Sequence, residues 1–185
     1  MNALYVILGI LVVIVLWGIS IYNGLVRLFN LKDEAWSGID VQLKRRVDLI
    51  PNLVETVKGY AAHEKEVFQK VTEARSAIMK SSSVEERVQS ENMLTQSLRS
   101  LFAVAENYPE LKANENFLDL QKQLAAVEDD IQMSRRYYNG AAREYNVGIA
   151  KFPHILVARN LGYVKAPYFE AEEQDRKSTR LNSSH

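Results

Sequence analysis

The hydrophobic residues of the chain form one unbroken run near the start and three later stripes with helical spacing. The first run extends from Ala3 to Tyr22 without a charged residue, and its 20 residues span about 30 Å as a helix. That length matches the hydrocarbon core of a bilayer. Tyr5 and Trp17 lie near its ends, as aromatic residues do at membrane interfaces. The run therefore predicts an uncleaved transmembrane anchor.

Two other interpretations of this run fit less well. A cleaved signal peptide has a basic start, a shorter apolar stretch and a small-residue cleavage site, and this run lacks all three. A buried core helix that is apolar on every face needs partners on every side.

The first cations after the run are Arg27 and Lys32. The positive-inside rule then predicts that the N-terminus lies outside and that the remaining chain is cytoplasmic.

The first stripe after the anchor runs from Val47 to Ile78 at alternating steps of three and four residues. Such spacing predicts one apolar face of a long helix. Pro51 falls inside the stripe and has no backbone N–H, so we expect the helix to kink there or a new helix to begin. Glu64 and Arg75 occupy positions of the same stripe. Each is expected to meet an opposite charge or to lie at a wet end, because buried charges need partners.

The second stripe begins after three serines at 81–83. Ser83 and Glu86 have the spacing of a capping box, in which two side chains satisfy orphan N–H groups at a helix start. Apolar residues then recur at helical spacing as far as Tyr108. Pro109 is expected to end this helix.

The third stripe runs from Phe117 to Tyr145, with Ser134 as its one polar position. Asn114 is its predicted cap, and the Phe-Pro pair at 152–153 is predicted to stop it. Helices gain most of their stability by burying one face, and short connections make neighbours antiparallel. The chain is therefore predicted to be all-α. We expect a transmembrane helix followed by an antiparallel up-and-down bundle of four helices, or of three very long ones.

The C-terminal part lacks a regular stripe. From His154 to Glu170 it is apolar but interrupted by Gly162 and Pro167, so we expect a short helix or an extended strap folded back on the bundle. Residues 174–185 are polar and include no aromatic residue, which predicts disorder. They also resemble a translated sequencing adapter, so we expect them not to be native. The predicted division is an anchor at 1–26, a bundle at 27–173 and this tail.

Composition narrows the chemistry. The 185 residues include no cysteine, which excludes disulfides, a thiolate nucleophile and cysteine-ligated metals. The 23 basic and 23 acidic side chains balance, which argues against a nucleic-acid partner.

His63 and Glu64 begin like the H-E-x-x-H zinc motif, but Val67 replaces the second histidine. Three successive carboxylates at 128–130 point in different directions on a helix. No catalytic residue, metal site or cofactor is therefore predicted.

Two sets of residues are candidates for binding a partner protein. Lys44, Arg45 and Arg46 lie more than 20 residues past the anchor, about 30 Å if helical, so lipid explains this basic run less well than a partner or plain solvation. The second set combines basic, aromatic and amide side chains on the third stripe: Arg135, Arg136, Tyr137, Tyr138, Asn139, Tyr145 and Asn146. Such a band is typical of a peptide groove or of hydrogen bonding between helices, and the internal explanation is the favoured one.

Several motifs, in the same order, resemble those of the bacterial LemA family. The resemblance rests on Ala35-Trp36-Ser37, VQLKRRVDLIPNLVETVKGYAAHE from Val41 to Glu64, LFAVAENYPELKANENF from Leu101 to Phe117, the 135–139 run and Tyr168-Phe169-Glu170. It covers residues 1 to about 173, and the tail after Asp175 departs from the family's pattern. It implies a membrane-anchored, antiparallel four-helix bundle in bacteria and brings no enzymatic activity or catalytic residues.

Together these features predict a single-pass protein of the bacterial inner membrane whose cytoplasmic bundle binds other proteins as a scaffold or adaptor. An accessory subunit of a membrane protease or transporter is the first alternative. An enzyme with a cryptic site near His63, Glu64 and the 135–145 band is the second. The sequence identifies the bilayer as one partner, but it identifies neither the protein partner nor whether the chain forms a homo-oligomer.

Overall fold

The computed structural model describes residues 2–169, and every regular element within them is a helix. The six helices are α1 (Asn2–Lys58), α2 (Lys65–Lys80), α3 (Val84–Ala105), α4 (Pro109–Lys112), α5 (Glu115–Ala150) and α6 (His154–Asn160). The all-α prediction is confirmed. The segment predicted to be a disordered tail, residues 174–185, lies outside the described residues.

Helix α1 continues through Pro51 for a total of 57 residues. Of the two alternatives that the sequence leaves open at Pro51, a kink or a new helix, the new helix is therefore wrong. Proline cannot donate to the carbonyl of Val47, but the Nε atom of Arg75 on α2 donates to that carbonyl at 3.2 Å. The helix ends instead at Lys58, before Gly59, a residue with low helix propensity.

The first apolar stripe is consequently divided between α1 and α2. Glu64 lies just before α2 and Arg75 lies within it, so the two charges do not share one helix as expected. Glu64 is half-buried at the helix start and accepts from the Tyr108 hydroxyl at 3.5 Å, which fits the predicted wet end. The partner of Arg75 is a backbone carbonyl rather than the predicted opposite charge.

The predicted helix starts are confirmed by their caps. The Glu86 backbone N–H donates to Ser83 Oγ at 3.1 Å, and the Ser83 N–H donates to the Glu86 carboxylate at 3.4 Å, which completes the capping box. The Phe117 N–H donates to Asn114 Oδ1 at 3.0 Å at the start of α5. Pro109 does not end the second stripe, however. Helix α3 already ends at Ala105, and Pro109 begins the short helix α4.

The described residues divide into two compact units, and the long helices α1 and α5 contribute to both. The second unit, residues 40–135 with Phe169, contains the end of α1, helices α2 to α4 and the first part of α5. Arg45 pairs with Asp130, while Tyr60 accepts from Asn114, so α1 and α5 run antiparallel here. The apolar core of this unit includes Leu53, Val57, Val71, Leu94, Leu101 and Leu111.

The first unit, residues 2–39 and 136–168, contains the first part of α1, the end of α5, α6 and an extended strap at 163–168. The sequence predicts a short helix or a strap from His154 onward, and the structure has one of each; Glu170 lies outside the described residues. The core of this unit consists of Ile21, Leu25, Tyr145, Ile149 and Ala158. A Cβ at Gly148 would overlap the Leu28 side chain, so glycine permits the close approach of α1 and α5.

Candidate functional site

Four charged side chains meet inside the second unit. Arg46 on α1 donates to Glu91 on α3, and its Nη1 atom lies 3.0 Å from Glu128 Oε2 on α5. Arg135 Nη2, also on α5, lies 3.4 Å from Glu91 Oε1. Glu91 has no exposed surface, and Arg46 is only 5% exposed. This buried charge cluster therefore connects three helices of the bundle.

Burial is the largest influence on the pKa of Glu91 in this cluster. It raises the pKa of the Glu91 carboxyl above its usual value, and the nearby Arg46 and Arg135 guanidinium groups oppose that rise. The Glu128 carboxylate adds to it. Two cations and two carboxylates balance in formal charge. Such a cluster fits a role in setting how the helices align, because each buried charge is acceptable only while its partner is present.

Glu91 is absent from the residues predicted from the sequence, although a signal for it exists. The second stripe continues from Val88 to Leu94, and Glu91 fills the helical position between them. A charged residue at a stripe position is the same signal that singles out Glu64 and Arg75. The break in the apolar pattern thus marks a buried charge rather than a gap in the core.

Asn146 on α5 holds the strap of the first unit through its backbone. Its Nδ2 donates to the Ala166 carbonyl at 2.9 Å, and its Oδ1 accepts from the Ala166 N–H at 2.8 Å. Asn146 is buried. An extended segment with no strand neighbour leaves its backbone groups without partners, and this amide satisfies one donor and one acceptor at once.

Two buried tyrosines on α5 support the same strap. The Tyr138 hydroxyl donates to the Pro167 carbonyl at 2.8 Å, and the Tyr145 hydroxyl donates to the Val164 carbonyl at 2.9 Å. Burial raises the pKa of Tyr145, with smaller contributions from Tyr163 and Asp33, which keeps its hydroxyl protonated as a donor. The predicted band therefore supplies internal hydrogen bonds at Tyr138, Tyr145 and Asn146, in line with the favoured explanation.

The other predicted binding residues differ in exposure. On α1, Lys44 and Arg45 are exposed, and Arg45 lies 3.4 Å from Asp130, whereas Arg46 is buried in the charge cluster. On α5, Arg136 and Tyr137 are exposed and Asn139 is half-buried, whereas Arg135 contacts Glu91. Arg46 is thus a correction to the predicted basic surface. The Arg46 side chain lies on the buried face of α1, next to the apolar residues of the stripe.

The positions proposed for a cryptic active site do not form a metal centre. His63 is exposed, and Glu64 is bonded to a tyrosine hydroxyl. Among residues 2–169, no group of three or more histidine, aspartate or glutamate side chains is placed to hold a metal ion. A groove of about 310 Å³ is lined mainly by residues of α3 and α5, and Leu98, Leu124, Glu128 and Arg46 of α1 are among its lining residues.

The N-terminal part of α1 is long and apolar enough to cross a membrane, and it is the one helix of the described chain with this property. Only 6% of its most apolar window is buried. A core helix of a soluble protein would be mostly buried, whereas most of this segment lies outside the protein's own core. The side chains from Leu4 to Trp17 present an apolar surface suited to lipid.

The fold is thus a helical bundle that shares its first helix with a segment of membrane-spanning length. The model of the LemA family matches residues 35–182, which extends past residue 173, where the resemblance seen in the sequence ends. Protein LemA of Metamycoplasma hominis is 31% identical over 159 residues, which cover 83% of this chain and 71% of that protein. The chain belongs to the LemA family.

Two magnetosome proteins are also similar to the chain. Magnetosome protein MamQ of Magnetospirillum gryphiswaldense is 24% identical over 174 residues, and Magnetosome protein MamQ 2 of Paramagnetospirillum magneticum is 25% identical over 175 residues. Each alignment covers 80% of this chain. The chain spans 64% of the length of these two relatives.

Proposed function

We propose that the chain is a membrane-anchored scaffold or adaptor of the bacterial inner membrane whose helical bundle binds other proteins. The observation that carries this proposal is the internal use of its buried polar groups. Glu91 and Arg46 belong to a charge-balanced cluster, and Tyr138, Tyr145 and Asn146 bind the strap. Because these side chains contact one another or the strap inside the protein, we place the binding of other proteins on the outer surface of the bundle.

The outer surface of the second unit carries large flexible apolar side chains. Met79 on α2, Met93 on α3 and Met133 on α5 are 66%, 48% and 53% exposed. Methionine is enriched at protein interfaces, where its unbranched side chain adapts to differently shaped partners. Exposed methionines on three helices therefore support a protein partner for this unit.

Site-specific photocrosslinking in intact cells tests the proposal. A benzophenone amino acid replaces Met93 or Met133 in the full chain, and Lys122, an exposed polar position on α5, serves as the matched control. We expect a discrete protein adduct from a methionine position and not from Lys122. Met133→Lys, introduced beside the label at Met93, should weaken an adduct that depends on this surface.

The outcomes separate the alternatives. A membrane protease or transporter as the dominant adduct would favour an accessory subunit of that enzyme or carrier. The absence of any adduct from both methionine positions would contradict the scaffold proposal.

We also propose that the chain acts without catalysis. Activity profiling of the purified chain with and without added metals tests this, and a turnover abolished by His63→Ala would overturn it.

The proposed orientation places the N-terminus outside and the bundle in the cytoplasm. Arg27 and Lys32 follow the span closely and support this arrangement. The chain has no cysteine, so a single Lys122→Cys substitution reports the location of the bundle. A membrane-impermeant maleimide should label this cysteine only after spheroplasts are permeabilised. Labelling of intact spheroplasts would reverse the orientation.

A further inference from the structure

The end of the first unit lies beside the predicted bilayer boundary. Ala158 on α6 belongs to the same buried cluster as Ile21 and Leu25 on α1. Ile21 is within the predicted span, and Leu25 is about 4.5 Å along the helix axis from its last residue, Tyr22. Helix α6 therefore packs against the first turn of α1 that leaves the span.

Helix α6 and its flanking residues expose an apolar surface at this level. Val157 and Ala158 face the buried cluster, whereas Ile155 and Leu156 are exposed. Phe152 before the helix is 78% exposed, more than the large hydrophobic side chains of the span, whose exposures reach 68%. We define the α6 surface by its exposed apolar and basic side chains: Phe152, Ile155, Leu156, Leu161 and Val164, with Lys151, Arg159 and Lys165.

The charges on this surface have one sign. No aspartate or glutamate occurs from Lys151 to Phe169. Lys151, Arg159 and Lys165 are exposed, and burial together with Lys151 lowers the pKa of His154, which favours the neutral form of that imidazole. Exposed apolar side chains surrounded by cations are the pattern of a segment that lies in an anionic membrane surface.

We propose that the α6 surface is a second membrane contact, which lies in the headgroup region and binds anionic phospholipid. The contact depends on the anchor for its position, because the anchor holds this surface at the boundary. It does not depend on the scaffold role. A second copy of the chain or a partner protein on the same surface is the competing arrangement. The continuity of the surface with the span and its uniform positive charge favour lipid.

Fluorescence from single labelled cysteines tests this contact in the full chain. Phe152→Cys and Leu156→Cys each carry an environment-sensitive label, and Glu34→Cys, exposed on α1 about 18 Å past Tyr22, is the control. The chain is reconstituted into phosphatidylcholine vesicles with or without phosphatidylglycerol. Quenching by doxyl-labelled lipid and by aqueous iodide is then measured at each position.

We expect the labels at 152 and 156 to be blue-shifted, quenched by doxyl lipid and shielded from iodide in anionic vesicles, and the label at Glu34 to be exposed to iodide. Each of Lys151→Gln, Arg159→Gln and Lys165→Gln should lower the equilibrium constant for docking by about fivefold. Equal iodide quenching at all three labels would overturn the proposal. Shielding without doxyl quenching would also overturn it, because a protein would then cover the surface.

Discussion

The Nε atom of Arg75 donates to the carbonyl of Val47, 3.2 Å away, which is the carbonyl that Pro51 leaves without a helical donor. A side chain of α2 thus completes the hydrogen bonding of α1. The bond explains how a proline inside the helix is accommodated. It also fixes the position of α2 along the axis of α1.

Removal of this bond should cost more stability when the proline is present than when it is absent. Arg75→Met leaves the Val47 carbonyl unsatisfied, and we expect a loss of about 1–3 kcal/mol in the free energy of unfolding. In a Pro51→Ala background the helix supplies its own donor, so the same substitution should cost less. Urea unfolding of the detergent-solubilised chain measures both values, with Arg99→Met as an exposed control. An equal loss in the free energy of unfolding in the two backgrounds would show that the Arg75 bond does not replace the backbone N–H that Pro51 lacks.

The buried charge cluster should behave as one unit. Glu91→Ala leaves Arg46 buried without its closest partner, and we expect a loss of about 3–5 kcal/mol. The double variant Glu91→Leu with Arg46→Met removes both charges and should be less destabilised than the sum of the two single variants. Asp129→Ala, at an exposed position on α5, should change stability by less than about 0.5 kcal/mol. Strict additivity of the two core substitutions would contradict the coupling.

Glu91 should also give the stability a distinct pH dependence. Burial raises its pKa in the folded protein above the ordinary value of 4.5, so the folded chain binds more protons than the unfolded chain between these two pKa values. The contribution of this carboxyl to stability should therefore fall as the pH rises through that window. Comparison of the wild-type chain with Glu91→Gln isolates the effect, since the amide does not titrate. A difference that increases in the opposite direction, or is constant with pH, would contradict the raised pKa.

The strap should loosen when its amide anchor is lost. Asn146→Ala removes two hydrogen bonds to Ala166, and we expect faster hydrogen exchange at the Ala166 amide by a factor of about 5–100, corresponding to roughly 1–3 kcal/mol. Mass spectrometry of the peptide that contains the strap measures the rate. Asn160→Ala, at an exposed position on α6, should leave that rate unchanged. Unaltered exchange in Asn146→Ala would mean that the tyrosines alone retain the strap.

Much of the fold follows from local sequence signals. The capping box of Ser83 and Glu86, the Asn114 cap and the apolar stripe of α5 depend on residues three or four positions apart, and the structure confirms them. Pro51 shows where local rules fail. The donor that replaces its N–H comes from Arg75 on another helix, so only the tertiary fold reveals why the helix continues.

The same limit applies to the candidate site. The sequence identifies Arg46, Arg135 and Asn146 as candidate binding residues. Whether each side chain faces a partner or the interior depends on the rotation of its helix. Glu91 combines a stripe position with a charge, and its significance depends on the two arginines that the fold brings to it. Spacing along one helix cannot show these contacts between helices.

Alkaline carbonate extraction of membranes, followed by intact mass analysis of the chain, tests whether residues Ala3 to Tyr22 hold the protein in a bilayer. We expect the chain to remain in the membrane pellet with its N-terminal 26 residues still attached. Release into the supernatant would contradict a membrane-spanning anchor, and a mass that lacks this segment would identify it as a cleaved signal sequence.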